Sequence, residues 1–249
     1  MAGHSKFKNI MHRKGAQDKK RAKIFSRLGR EISVAVKEGG PDPDTNIRLR
    51  SAVGSAKSLN MPKDNIERAI KKGEGNDPDN NYEEVRYEGY GPDGVAIIVE
   101  ALTNNKNRTA AEVRSTFSKY GGNLGETGSV SFGFKRLGSI TLKKNDIDEE
   151  ELFDFIVENG SEDYELNEDE YNIYCDQKIL HQLNQKIIDK FGATNFTGLI
   201  WKSENEISVS KDKAETLFKL LNILEENEDV QAVSSNFDVS DDVLESLAV

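Results

Sequence analysis

The chain has 249 residues, of which 36% are hydrophobic, and a single cysteine, Cys175. This length predicts two or three domains, one cysteine excludes an internal disulfide, and no apolar run approaches the ~20 residues of a membrane span. Charge is divided along the chain: residues 1–72 carry 18 Lys or Arg against 7 Asp or Glu, and the remaining residues carry 16 against 37. A basic end joined to an acidic body is typical of a polyanion-binding segment on a soluble scaffold.

The N-terminal region begins with a basic segment, residues 1–17, that is short of large apolar side chains, so we expect it to be disordered when free. A helix is predicted from Asp18 to the Gly39-Gly40 pair, with apolar residues such as Phe25 and Ile32 at spacings of three and four. The same spacing leaves a set of cations for the exposed faces of this helix, namely Lys19, Lys20, Lys23, Arg27 and Arg30.

Two further helices complete a small basic domain over residues 1–76. The first is predicted from Thr45 to Leu59, with Asp44 or Thr45 able to cap its start. The second begins at Pro62, because proline suits the first turn of a helix, and is predicted to close at Gly73.

Beyond this domain, apolar runs that predict strands alternate with periodic patterns that predict helices. Strands are predicted at 95–99, 129–134, 139–142, 171–175, 197–208 and 232–239, and helices at 109–120, 148–158, 179–191 and 211–226. The last helix and strand cannot form a core alone, so we predict that they dock back onto the elements between residues 82 and 134. The predicted fold is therefore α+β with three domains, a helical one followed by two α/β sandwich-like ones. Their limits are 1–76, then a discontinuous middle domain of 77–137 plus 209–249, then an inserted ferredoxin-like domain of 138–208.

The sequence contains none of the common catalytic motifs. The glycine-rich stretch from Gly121 to Gly128 follows a helix, whereas a dinucleotide-binding loop precedes one, so we interpret it as a turn, with a binding loop as the lesser alternative. His4 and His12 have no neighbouring Cys or acidic cluster, and we therefore predict no metal site, no cofactor and no catalytic residue. Cys175 lies in a strand-like run and is predicted to be a buried core thiol.

The cations of the first thirty residues are the strongest functional signal. Lys and Arg bind phosphates through charge and counterion release without reading bases, whereas the simpler interpretation is a solvated basic segment. Phe7 and His12 add planar rings that can stack on an exposed base. The predicted nucleic-acid-binding residues are Lys6, Phe7, Lys8, His12, Arg13, Lys14, Lys19, Lys20, Arg21, Lys23, Arg27 and Arg30. A disordered arm that folds on contact favours RNA and a basic helix favours duplex DNA, so spacing alone leaves both open.

Several stretches of the sequence resemble one known family. They are 1–6, 12–18, Met61 to Ile70, Tyr87 to Pro92, Asn107-Arg108-Thr109 and Gly121 to Val130. Together these motifs are similar to those of the YebC/PmpR family, which includes the mitochondrial translational activator of cytochrome c oxidase. The resemblance implies a three-domain α+β protein without enzymatic activity. Phe7 stands where the family usually has tryptophan. Phenylalanine keeps an aromatic face for stacking but lacks the indole N–H donor.

The resemblance leaves two functions open, because some members are described as transcriptional regulators and others act on ribosomes. We predict a cytoplasmic, non-enzymatic regulator of gene expression, a DNA-binding transcriptional regulator. The alternative is an rRNA-binding translation factor that assists elongation through proline-rich stretches. The expected partner is nucleic acid, either DNA or the ribosome, with no membrane and no small-molecule substrate, and a monomer is favoured.

Overall fold

The computed structural model describes residues 17–75, 81–144, 147–167, 169–240 and 243, with side chains described from residue 21 onward. Most of the basic segment over residues 1–17, expected to be disordered when free, lies outside these ranges. The fold is α+β with three domains, as predicted: a helical domain and two α/β domains, of which the middle one is discontinuous.

Three helices form the N-terminal domain: α1 (Gln17–Gly39), α2 (Ile47–Ser58) and α3 (Lys63–Glu74). They bury a common core that includes Ile32 and Leu49, both without exposed surface. The start of α2 is capped by Asn46, whose Oδ1 accepts the Leu49 amide at 3.0 Å. The prediction that Asp44 or Thr45 caps this helix was therefore wrong by one or two residues.

Gly73 has a different role from the one predicted, because α3 continues through it to Glu74. A Cβ at this position would lie 2.5 Å from the carbonyl oxygen of Ser33 and 2.7 Å from Cβ of Val36, both on α1. Real Cβ contacts essentially never come this close, so the glycine allows α1 and α3 to pack backbone to backbone.

The remaining elements belong to the two α/β domains. In chain order they are β1 (Glu83–Tyr90), β2 (Ala96–Thr103), α4 (Lys106–Lys119), β3 (Asn123–Leu124), β4 (Phe134–Lys143), α5 (Glu149–Glu158), β5 (Ser161–Leu166), β6 (Glu170–Cys175), α6 (Leu180–Phe191), β7 (Phe196–Ser203), β8 (Ile207–Ser208), α7 (Lys211–Glu226), β9 (Val230–Ser235) and β10 (Phe237–Asp238).

The middle domain contains a sheet in the order β3-β1-β2-β9, with each neighbouring pair antiparallel. Strand β9 returns from the end of the chain to pair with β2, which places Val233 opposite Val99. Helices α4 and α7 cover one face of the sheet, and Phe117 and Leu217 are fully buried there. The prediction that the C-terminal helix and strand dock onto the earlier elements is confirmed.

The inserted elements form a second antiparallel sheet in the order β5-β6-β4-β7, with α5 and α6 on one face. The chain order β-α-β-β-α-β is the ferredoxin-like arrangement. Cys175 has no exposed surface and lies in this core, as predicted. The exact domain limits stay a prediction, and β4 runs across the one placed at residue 137.

The predicted strand at 129–134 was wrong. Residues Ser131–Gly133 form a short 3₁₀ turn, and β4 begins only at Phe134. The carboxylate of Glu88 accepts the amides of Val130 and Ser131 at 2.9 Å each, so these backbone donors are taken by a side chain instead of a neighbouring strand. Strands β1 and β5 were missed, because their charged residues hide the alternation.

Candidate nucleic-acid interface

Half of the predicted nucleic-acid-binding residues precede the described part of the chain. These are Lys6, Phe7, Lys8, His12, Arg13 and Lys14. Lys19 and Lys20 lie in the first turn of α1, but their side chains also fall outside the description. The predicted residues whose side chains the structure describes all belong to α1, namely Arg21, Lys23, Arg27 and Arg30.

Arg21 is exposed near the start of α1, with its guanidinium carbon 5.5 Å from the ring centre of Phe25. One helical turn separates the two residues, so the contact follows from their i, i+4 spacing. A cation over an aromatic face is weakly stabilised at an exposed site. The charge of Arg21 thus remains available at the surface.

Lys23 and Arg27 face the middle domain, where the last residues of α7 and the loop to β9 are acidic. We call residues 225–229, with the sequence Glu-Glu-Asn-Glu-Asp, the acidic segment. Nη2 of Arg27 donates to the carbonyl oxygen of Glu225. Burial and the neighbouring Arg27 lower the pKa of Lys23, while the carboxylates of the acidic segment oppose that shift. The expectation that both side chains lie on an exposed face was wrong, since both are half-buried.

Arg30 is bound more completely than any other of these four cations. Its Nη1 donates to the carbonyl oxygens of Leu102 (3.0 Å) and Glu228 (2.8 Å) and pairs with Oδ1 of Asp229 at 3.0 Å. The side chain is only 12% exposed, and its guanidinium lies 5.0 Å from the ring centre of Tyr82. Arg30 therefore joins the helical domain to the middle domain, and its predicted exposure was wrong.

Asp229 is the centre of this junction. Its Oδ2 accepts hydrogen bonds from Thr103 Oγ1 at 3.0 Å, from Thr109 Oγ1 at 2.6 Å and from Arg108 Nη2 at 2.6 Å. Burial raises the pKa of the Asp229 carboxyl, but these hydrogen bonds outweigh burial and hold that pKa below its ordinary value. The Asn107-Arg108-Thr109 motif thus has a structural role: two of its side chains bind Asp229.

A second cluster of ion pairs, around Arg48, joins the helical domain to the middle domain and was not predicted from the sequence. Arg48 on α2 donates to Glu31 at 2.7 Å and to Glu38 at 2.7 Å, both on α1, and to Glu84 of β1 at 2.6 Å. Burial lowers the pKa of Arg48, but the hydrogen bonds and charges of these carboxylates outweigh burial and raise it. The three partners are 10 to 36 positions away in the chain, so no local spacing indicates them.

The predicted site also omitted the four exposed cations of α3, namely Lys63, Arg68, Lys71 and Lys72. Lys71 and Lys72 lie in the last turn of α3, where cations interact favourably with the negative end of the helix dipole. The signal that could have found them is the helical period, because Arg68 and Lys72 are four residues apart and share one face of α3. Lys72 lies 5.7 Å from the ring centre of Tyr82.

The glycine-rich stretch is a turn built around Glu88. Gly121 and Gly128 have φ of 73° and 94°, a conformation that favours glycine. The Gly125 amide donates to the carbonyl oxygen of Glu88 at 2.8 Å, and the Glu88 side chain, with no exposed surface, accepts the Val130 and Ser131 amides. The stretch thus combines turns with the short strand β3, in keeping with the turn interpretation, and the binding-loop alternative stays a prediction.

Two further features concern metals and membranes. Across the described ranges, no group of three or more His, Cys, Asp or Glu side chains is arranged to hold a metal ion. In the same residues, no helix combines the length and the apolar character needed to cross a membrane.

Burial raises the pKa of the Cys175 thiol to about 11, which disfavours the thiolate.

Comparison with known proteins identifies the family. Residues 5–76 match the model of the TACO1/YebC protein N-terminal domain, and residues 82–237 match that of the TACO1/YebC second and third domain. The chain belongs to the TACO1/YebC family. The predicted resemblance is therefore confirmed for the helical domain and for both α/β domains.

Two proteins are similar to this chain over most of its length. A protein of Zymomonas mobilis subsp. mobilis named "Probable transcriptional regulatory protein" is 52% identical over 247 residues, which is 99% of each chain. The crystal structure of a conserved hypothetical protein from Aquifex aeolicus is 43% identical and superposes with a TM-score of 0.83, covering 89% of this chain and 91% of that one. The three-domain arrangement described above is thus shared with an experimental structure.

Proposed function

We propose that this TACO1/YebC family member is a DNA-binding transcriptional regulator without enzymatic activity, acting in the cytoplasm. The observation that carries the proposal is the relative named "Probable transcriptional regulatory protein", because its 52% identity extends over 99% of both chains. Similarity over the full length includes the basic N-terminal region as well as the acidic body. The similarity to a protein named as a regulator therefore extends over the basic region, which is chemically suited to bind DNA.

Charge supports nucleic acid as the partner. Residues 1–72 have an excess of eleven cations, while the rest of the chain has an excess of 21 anions. Phosphate contacts from Lys and Arg supply the sequence-independent part of DNA affinity. The acidic body repels a polyanion, so the DNA is directed to the N-terminal region.

The absence of a catalytic role is part of the proposal. The buried carboxylates Glu88 and Asp229 are both engaged by hydrogen bonds and cations of the protein itself. A catalytic acid, base or nucleophile must instead reach a substrate. These two groups therefore act in the fold, and regulation proceeds through binding.

The test is binding of fluorescent duplex DNA to the purified full-length chain as salt concentration is varied. Replacing Lys6, Arg13 and Lys14 together with Ala should weaken binding and reduce the slope of log affinity against log salt by up to about three units. A wild-type chain that binds no DNA would overturn the proposal. Unchanged binding by the variant would remove these three residues from the interface while leaving the helical domain to be tested separately.

A further inference from the structure

A groove runs between α1 and α3 on the surface of the helical domain, with a volume of about 510 Å³. Its floor on α1 is formed by Ala22, Ser26, Gly29 and Ser33, which repeat at spacings of three and four and so share one face. Small side chains keep the floor low: even a Cβ on Gly29 would be 3.9 Å from its nearest neighbours. The small side chains of α1 therefore leave this groove unfilled by the protein.

Cations line both sides of this groove. Arg68 and Lys72 are exposed on α3 and border it directly, and Arg21 is exposed at its α1 end over the ring of Phe25. Among the described residues, none of these three cations is ion-paired with a carboxylate. The Arg68 guanidinium donates to Asn65 and to the carbonyl oxygen of Asp64, and Lys72 contacts the Tyr82 ring.

The adjacent face of α1 is already neutralised. Lys23 and Arg27 lie roughly 100° around the helix from the groove floor and face the acidic segment. Arg30 lines the groove but is paired with Asp229. A polyanion approaching α1 from that side would meet four carboxylates at positions 225–229. Arg21, Arg68 and Lys72 are therefore the exposed cations in or beside the groove, whereas other exposed cations of the domain, such as Arg50, Lys57 and Lys63, do not line it.

We infer that the α1–α3 groove binds the phosphodiester backbone of nucleic acid, with Arg21, Arg68 and Lys72 as phosphate contacts. The inference rests on the proposed nucleic-acid-binding function and adds the place of contact. The groove begins on the helix that directly follows the basic segment of residues 1–17, so one strand can contact both. Ser26 and Asn65 supply polar groups along its path.

A charge test compares two triple variants of the full-length chain that remove the same number of cations from the same domain. The groove variant carries Arg21→Gln, Arg68→Gln and Lys72→Gln, and the control carries Arg50→Gln, Lys57→Gln and Lys63→Gln, all at exposed positions. The probes are fluorescent DNA and RNA duplexes of one sequence. The groove variant should lower the salt slope by about three units, since each phosphate contact contributes about 0.9, and the control should not.

A steric test leaves the charge unchanged. Ser26→Trp places a large ring on the groove floor, whereas Ser58→Trp places it at the exposed end of α2, away from the groove. Ser26→Trp should abolish binding at protein concentrations that saturate the wild type, and Ser58→Trp should bind normally. Cooperative thermal unfolding of both variants shows that they fold.

The outcomes separate the groove from the general function. Weakened binding by the groove variants alone supports the inference, and the tighter of the two probes identifies the polymer. Wild-type binding that neither groove variant weakens beyond its control overturns the inference but leaves the proposed function intact. A wild type that binds neither DNA nor RNA overturns both.

Discussion

At the scale of single residues, Asp229 stabilises the contact between two domains. It accepts hydrogen bonds from Arg30 of the helical domain and from Arg108 and Thr109 of the middle domain. Removing one partner of a buried ion pair leaves the other charges without compensation. Asp229→Ala should therefore lower the free energy of unfolding by about 3 kcal/mol, measured by urea denaturation. Asp238→Asn, which removes an exposed carboxylate near the end of the same domain, should have little effect; an equal loss in both would contradict the role of Asp229.

The same residue predicts a pH dependence. Because the folded-state pKa of Asp229 is lowered from an ordinary value of 3.8, its contribution to stability is present above that value. It is lost as pH falls from about 5 through the lowered pKa, where the folded carboxyl takes up its proton. The wild type should lose more stability on acidification than Asp229→Asn. The measurement is urea denaturation of both proteins at neutral and acidic pH. Equal losses of unfolding free energy in the wild type and in Asp229→Asn would show that the Asp229 carboxylate does not cause the pH dependence.

The sequence pointed to two partners of Asp229, through the motif that contains Arg108 and Thr109, but it did not predict that they contact Asp229. Asn107-Arg108-Thr109 was recognised as a family motif, yet Thr109 and Asp229 are 120 positions apart. Helical and strand periods relate neighbours along the chain, and hydrogen bonds between distant side chains leave no such pattern. The same limit explains why Arg27 and Arg30 were predicted to be exposed.

At the scale of elements, Gly73 and Gly54 give a matched pair of glycines in helices. Gly54 on α2 is exposed, with no atom within 4 Å of a Cβ, whereas a Cβ on Gly73 would collide with Ser33 and Val36. Gly54→Ala should stabilise the protein by about 0.5–1 kcal/mol through helix propensity. Gly73→Ala should destabilise it by about 1–3 kcal/mol because α1 and α3 must separate. Thermal unfolding measures both, and a stabilising Gly73→Ala would contradict the close packing of these helices.

Elements with a strong period were predicted well from the sequence. Helix α7 was predicted with its observed limits of Lys211–Glu226, because its leucines repeat on one face. The 129–134 segment also alternates, but Glu88, more than 40 positions earlier, binds its amides and prevents a strand. Local pattern thus decides an element only where no distant side chain competes for its backbone.

At the scale of the whole molecule, the acidic segment holds the basic helix α1 against the acidic body. Glu225→Gln, Glu226→Gln and Glu228→Gln remove the carboxylates whose charges act on Lys23 and Arg27, while the hydrogen bond from Arg27 to the main-chain oxygen of Glu225 stays. Without these anions beside α1, DNA affinity and the salt slope should rise. The matched control removes three exposed carboxylates from α5, with Glu150→Gln, Asp154→Asn and Glu158→Gln. A binding titration in which both variants gain equally would show that only total charge matters.

The overall architecture was predictable because the C-terminal helix and strand lacked a core of their own. Pairing of β9 with β2 confirms that reasoning and accounts for the discontinuous middle domain. The way the helical domain sits on the other two was not predictable, because it depends on Arg30, Arg48 and their distant acceptors. The groove between α1 and α3 depends on how these two helices pack on each other, which helical periodicity does not predict.

The most direct test of the proposed function is crosslinking in living cells, followed by sequencing of both the DNA and the RNA recovered with the intact protein. A DNA-binding transcriptional regulator predicts focal enrichment at promoter DNA, which should be lost when Lys6, Arg13 and Lys14 are replaced with Ala. Enrichment at defined rRNA positions without promoter DNA would contradict it and support the ribosome-binding translation factor instead.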